Sequence, residues 1–156
     1  MALVLKPPAR IELLPEARSV FLAGSIDMGH AEDWQSTVTR ALDDRDVVIL
    51  NPRRDEWDAS WEQDIGFAPF RDQVEWELDG LERATLIAMY FSPASKAPVT
   101  LLELGLFAQS GRVVVCCPQG YWRRGNVEIA CRRYDVATVP DLPALVHEVR
   151  RRLSPR

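Results

Sequence analysis

The run from Ala97 to Ser110, APVTLLELGLFAQS, carries a single charge, Glu103. At helical spacing its neighbours are Val99, Thr100, Leu106 and Phe107, and the remaining faces are also apolar, which predicts a helix buried nearly all round. A lone carboxylate in such a place costs several kcal/mol unless it is partnered or opens into a cavity. One reading is a glutamate tied to a backbone amide or an arginine; the other is a carboxylate lining a pocket. The preceding helical pattern, from about Pro69 to Glu82, offers a second group. Phe70, Val74, Leu78 and Leu81 form its apolar stripe, Asp72, Glu75, Asp79 and Glu82 fall largely on the solvated side, and Glu77 lies with the apolar residues. Two carboxyls from buried helix faces suit chemistry at a glycosidic carbon, where one group attacks and another handles the leaving group.

Two further segments offer binding groups. Gly24-Ser25-Ile26-Asp27-Met28-Gly29 stands between a strand and a helix, where backbone amides and a helix start can approach a ligand. It is not the G-x-G-x-x-G fingerprint, and Asp27 repels a phosphate, so a nucleoside or a ribosyl hydroxyl fits it better; a plain tight turn is the competing reading. Trp57 and Trp61, with Asp55, Asp58 and Glu62 nearby, can stack on a base and bond its edge, or simply pack a long loop onto the sheet.

The elements that position these residues are short apolar runs alternating with helical patterns, the mark of βα units and a parallel sheet. Strands are expected at Val20–Ala23, Val47–Leu50, Thr85–Phe91, Arg112–Cys117 and Val136–Val139. Helices are expected at about 31–42, 69–82, 98–110, 126–132 and 142–153. Continuously apolar strands are buried on both faces. The expectation is a single α/β domain over residues 1–156: a flavodoxin-like or Rossmann-like three-layer sandwich with a five-stranded parallel sheet, residues 1–18 being an extended lead-in. Ligands in such folds sit beyond the carboxyl ends of the strands, near the reversal of strand order. The loops from Gly24, Asn51, Ser92 and Pro118 are therefore the ones to watch.

Composition agrees with one soluble core: 156 residues, 47% hydrophobic and 27% charged. A chain of this size buries roughly 70% of its unfolded surface, so no metal or disulfide is needed to hold it. A formal net charge of −4 gives no support to a nucleic-acid partner, and no apolar run is long enough for a membrane span. Cys116, Cys117 and Cys131 read as reduced, buried small hydrophobes, and His30 and His147 lie too far apart to suggest a zinc site. No cofactor or metal is expected, and the cytoplasm is the default location.

Three segments carry a resemblance. Phe21-Leu22-Ala23-Gly24-Ser25-Ile26, Glu77-Leu78-Asp79-Gly80-Leu81-Glu82-Arg83-Ala84 and Leu102-Glu103-Leu104-Gly105 resemble the nucleoside 2-deoxyribosyltransferase superfamily over roughly residues 19–139. With Asn51-Pro52-Arg53-Arg54-Asp55 and Leu101, the chain is most similar to its bacterial and phage deoxyribosyltransferase-like branch. The resemblance implies a flavodoxin-like fold and cleavage or exchange of a base–sugar N-glycosidic bond by a retaining mechanism. Glu103 would be the nucleophile and Glu77 would stand where the family commonly has an aspartic acid. Phe21 occupies the position of a tyrosine found in many members, and Ser95, Lys96 and Ala97 replace a further aspartate. Gly24, Ser25, Asp27, Met28, Gly29, Asp55, Trp57 and Ser92 are the expected nucleoside or nucleotide contacts. Asn126 would come from a neighbouring subunit of a homodimer or higher homo-oligomer. The mechanism needs Glu103 ionised and Glu77 partly protonated, with the Trp57–Trp61 loop as a lid. Two alternatives share the fold: a non-catalytic nucleotide-binding sensor, and a nucleotide N-glycohydrolase, including one acting on NAD-type linkages, for which Gly24, Ser25, Ser92 and Ser95 would hold phosphate.

Overall fold

The computed structural model describes residues 1–26, 33–54 and 60–155. Alternating strands and helices run in the order β1 (Leu3–Leu5), β2 (Ser19–Gly24), α1 (Trp34–Ala41), β3 (Val48–Leu50), α2 (Ala68–Arg83), β4 (Leu86–Tyr90), α3 (Pro98–Phe107), β5 (Val113–Cys116), α4 (Arg124–Arg133), β6 (Ala137–Val139) and α5 (Leu142–Arg152). A single 3-10 turn, Ala108–Ser110, extends α3. The six strands form one sheet in the order β1-β3-β2-β4-β5-β6, every neighbouring pair parallel.

The sheet thus has six strands rather than five. The added strand is β1, inside the segment expected to be a lead-in. Leu3, Val4 and Leu5 pair with Val48, Ile49 and Leu50 at the sheet edge. Leu3 stays 55% exposed, so this strand is held by backbone pairing more than by burial and carries no periodic apolar signal.

Strand alternation divides the core in two. Along β2, Val20 and Leu22 face one side with Ile49, Ala88 and Val114, and meet Trp34, Val38 and Leu42 of the α1 region and Leu145 and Val149 of α5. Phe21 and Ala23 face the other side with Leu50, Ile87, Met89 and Val115, and meet Trp76 and Leu81 of α2, Leu104 of α3 and Val127 and Cys131 of α4. Helices therefore cover both faces, as fully apolar strands require. Cys116 and Cys131 are buried and Cys117 partly so, and none of the three is in a disulfide. No helix among the described residues is long and apolar enough to cross a membrane.

Two glycines permit close approach. A Cβ on Gly80 would stand 2.8 Å from the Phe21 ring, so its absence lets α2 settle onto β2. A Cβ on Gly24 would strike the Tyr90 carbonyl oxygen and come to 2.6 Å from the Trp34 ring. Trp34 is itself buried, stacks obliquely on Tyr90 with ring centroids 5.4 Å apart, and donates its indole N–H to the Ser25 carbonyl at 3.2 Å. The close passage of β2 and β4 at their carboxyl ends is thereby fixed.

Candidate active site

The chain leaves β2 toward β3 on one side of the sheet and then returns across it to β4 on the other, so the crevice beyond β2 and β4 is where strand order reverses. The two ends are tied together there. Ser25 donates its backbone N–H to Tyr90 at 3.1 Å, and its hydroxyl accepts from the Ser92 N–H at 2.9 Å. Both serines are buried.

A cavity of about 360 Å³ opens at this point. Gly24 and Ser25 border it from β2, Gln73 and Glu77 from α2, and Ser95, Thr100 and Glu103 from the β4–α3 segment, while Phe70, Val74, Pro98 and Val99 supply apolar wall. The two glutamates singled out by sequence are therefore brought together in one pocket. A larger open cleft, about 740 Å³, lies between the 8–14 segment and α2 and is lined by neither glutamate.

Each carboxyl is delivered by an identifiable local device. On α2 the buried line is Gln73, Trp76, Gly80 and Leu81, not the Phe70-Val74-Leu78-Leu81 stripe expected from hydrophobicity. Glu77 flanks that line beside Phe70 and Val74, which face the cavity, while Asp72, Glu75, Asp79 and Glu82 are exposed as expected. Glu103 is only 7% exposed. Its helix begins after Ala97, a non-glycine residue in the left-handed region at φ 43°, followed by Pro98 in the first turn. The Lys96 carbonyl, just before, accepts both the Tyr121 hydroxyl at 2.7 Å and the Trp122 indole N–H at 2.9 Å. Lys96 Nζ also lies 4.4 Å from the Trp122 ring centre. The loop after β5 thus locks the start of the helix that carries Glu103.

The expectation that α3 is buried nearly all round is not met. Val99, Leu102 and Leu106 are 56%, 62% and 56% exposed. Only Thr100, Glu103 and Leu104 of the helix are fully buried, because one side packs on the sheet and the other faces outward.

Burial dominates the electrostatics of the pair. It lifts the Glu103 carboxyl to about 8, the nearby Glu77 adding to the rise. It also lifts Glu77 to about 7, against a hydrogen bond from Gln73 that favours the charged form. Burial thus raises both carboxyls into the neutral range. Glu77 accepts from Gln73 Nε2 at 3.0 Å, whereas no hydrogen bond among the described residues reaches Glu103. Two such groups titrate as a pair that shares protons near neutrality.

The remaining site residues divide. Gly24 and Ser25 line the cavity. Ser92 does not: its backbone closes the β2–β4 tie instead. Asn126 sits exposed in the first turn of α4 and does not border its own chain's cavity. Asp27, Met28, Gly29, Asp55 and Trp57 lie outside the described residues. At the far end of the loop expected to be a lid, Trp61 packs edge-on to Phe67 and under the Arg54 guanidinium, and Gln63 reaches the cavity wall. Gln73 and Trp34 were missed. A buried glutamine gives no hydropathy signal, and Trp34 matters through a carbonyl it meets only in the fold.

Three comparisons bear on this arrangement. No curated protein matches the chain. Among solved structures, a conserved protein from Enterococcus faecalis V583 superposes with a TM-score of 0.60 over 88% of this chain and 99% of that one, at 13% identity, a likeness of fold alone. The model of the family described as "Nucleoside 2-deoxyribosyltransferase like" matches residues 17–121, from the start of β2 through the loop that locks Lys96 and including both glutamates. The chain belongs to the nucleoside 2-deoxyribosyltransferase-like family.

Proposed function

We propose that the protein cleaves or exchanges the N-glycosidic bond of a nucleoside by a retaining mechanism, with Glu103 as nucleophile and Glu77 as acid and base. The observation that carries this reading is the meeting of two carboxyls from different helices, Glu103 buried and Glu77 half-buried, in one pocket at the strand-order reversal. Ionised Glu103 attacks the anomeric carbon as the C1′–N bond breaks, the electron pair passing to the base and the proton of Glu77 following it. Water or a second base then displaces Glu103, and Glu77 takes back a proton. The developing positive charge on the sugar favours ionised Glu103, offsetting the burial that raises its carboxyl. The charged groups among the described lining residues are both carboxyls, which favours an uncharged nucleoside over its 5′-phosphate.

A second copy of the chain completes the assembly in this reading. Val99 belongs both to the cavity wall and to the exposed apolar stripe with Leu102 and Leu106, so a partner seated on α3 would cover the stripe and border the site.

The test is a screen of nucleosides, deoxynucleosides and their 5′-monophosphates for release or exchange of the base, beside a Glu103→Ala variant. Base release that disappears in the variant supports the reading. Tight binding of an intact nucleoside with no turnover overturns it in favour of a sensor.

A further inference from the structure

Gln73 lies one turn before Glu77 on α2 and is 4% exposed. Its amide is fully committed. Nε2 donates to the Pro52 carbonyl at 3.1 Å and to Glu77 Oε1 at 3.0 Å, while Oε1 accepts from Arg54 Nη1 at 3.3 Å. Only this orientation of the amide works. Exchanging oxygen and nitrogen would set the amide oxygen against a carbonyl and a carboxyl oxygen and turn the NH2 toward a guanidinium. Both N–H bonds of Gln73 are therefore spent, and one of them always points at Oε1 of Glu77.

We propose that Gln73 is a positioning residue that fixes the acid proton of Glu77 on Oε2, the oxygen it leaves free, and eases the release of that proton as the base departs. This rests on the reading of Glu77 as acid. A protonated carboxyl has one carbonyl and one hydroxyl oxygen, and the carbonyl oxygen is the better acceptor; with Oε1 held as acceptor, the hydrogen resides on Oε2. When the C1′–N bond breaks and the base takes the Oε2 proton, Glu77 becomes a carboxylate and its bond from Gln73 becomes charge-assisted, hence stronger. Arg54, on the far side of the amide, polarises it in the same direction. The ionisable groups bearing on Glu77 are thus Glu103 from α3 and, through Gln73, Arg54 from the segment after β3. From β2 the neutral Ser25 faces the same cavity.

The experiment is an NMR titration of the whole chain, following the carboxyl carbons of Glu77 and Glu103 and the side-chain amide protons of Gln73. In the wild type the Gln73 amide protons are expected to shift with the midpoint of Glu77. Amide protons that stay flat between pH 5 and 9 overturn the proposal, whatever the variants do. In Gln73→Met the Glu77 midpoint is expected to rise by about one pH unit, the loss of one hydrogen bond to a charged group. The Glu103 midpoint falls with it, as the proton settles on Glu77. A folded Gln73→Met protein with both midpoints unchanged also overturns the proposal, leaving Gln73 a tie between α2 and Pro52. Once a substrate is in hand, Gln73→Met should lower kcat with little change in KM. Absence of any base release in the wild type would sink the catalytic reading while the titration still decides where the proton sits.

Discussion

Glu103 was legible because a lone charge in an apolar helix demands a reason, and its position supplies one: the wall of a cavity with no hydrogen-bonding partner among the described residues. Gln73 was not legible, since a neutral polar residue among Asp72, Glu75 and Glu77 looks solvated until Pro52 and Arg54 close around it. The raised carboxyls have a consequence for stability. Each binds its proton more tightly folded than unfolded, so their contribution is fully present below about pH 4.5 and is lost as pH rises through about 7 and 8. The unfolding temperature is expected to fall by on the order of 10 °C between pH 5.5 and 8.5, for a loss of about 5 kcal/mol. Glu103→Gln should flatten that slope, and an unchanged slope in the variant would show that the pair is not its source. Glu148, held down to about 2 by hydrogen bonds from Arg151 and Arg152, acts in the opposite direction and only below the ordinary carboxylate range, outside this window.

At the scale of elements, the helices and five of the six strands were readable because burial on both faces leaves long apolar runs, and their ends fell within a few residues of expectation. The exception, β1, has three residues, ends just before Lys6-Pro7-Pro8, and is half exposed, so it rests on pairing with β3 and on Leu5 packed at the edge of the core. The apolar stripe assigned to α2 failed for a different reason. The sheet side of that helix needs a small residue at Gly80 and takes Gln73 as a polar strut, while part of the hydrophobic stripe lines the pocket. Gly80→Ala is expected to destabilise by roughly 1–3 kcal/mol, because its methyl must displace the Phe21 ring, and chemical denaturation will measure it. Tyr121→Phe removes one of the two donors on the Lys96 carbonyl. About 1 kcal/mol of stability should go with it, and kcat should fall more than that loss alone explains, since the start of the Glu103 helix is loosened.

At the scale of the molecule, the three-layer arrangement follows from strand composition, but the exposed side of α3 does not, because helical hydrophobicity cannot distinguish a face buried by the sheet from one left for a neighbour. Leu102→Lys is expected to shift the protein toward monomer in sedimentation while leaving its circular dichroism unchanged; a wild type that is monomeric at micromolar concentration would contradict the assembly. Sheet topology does the rest, since the reversal at β2 and β4 brings α2 and α3 to one crevice and with them the two carboxyls. That convergence makes one claim above the others, that Glu103 forms a bond to the sugar. The most direct measurement is mass spectrometry of protein quenched during turnover of a nucleoside identified by the base-release screen. One added sugar on the peptide containing Glu103, absent in Glu103→Ala, is the expected result. A sugar attached elsewhere, or base release that continues at the wild-type rate in Glu103→Ala, would contradict the account.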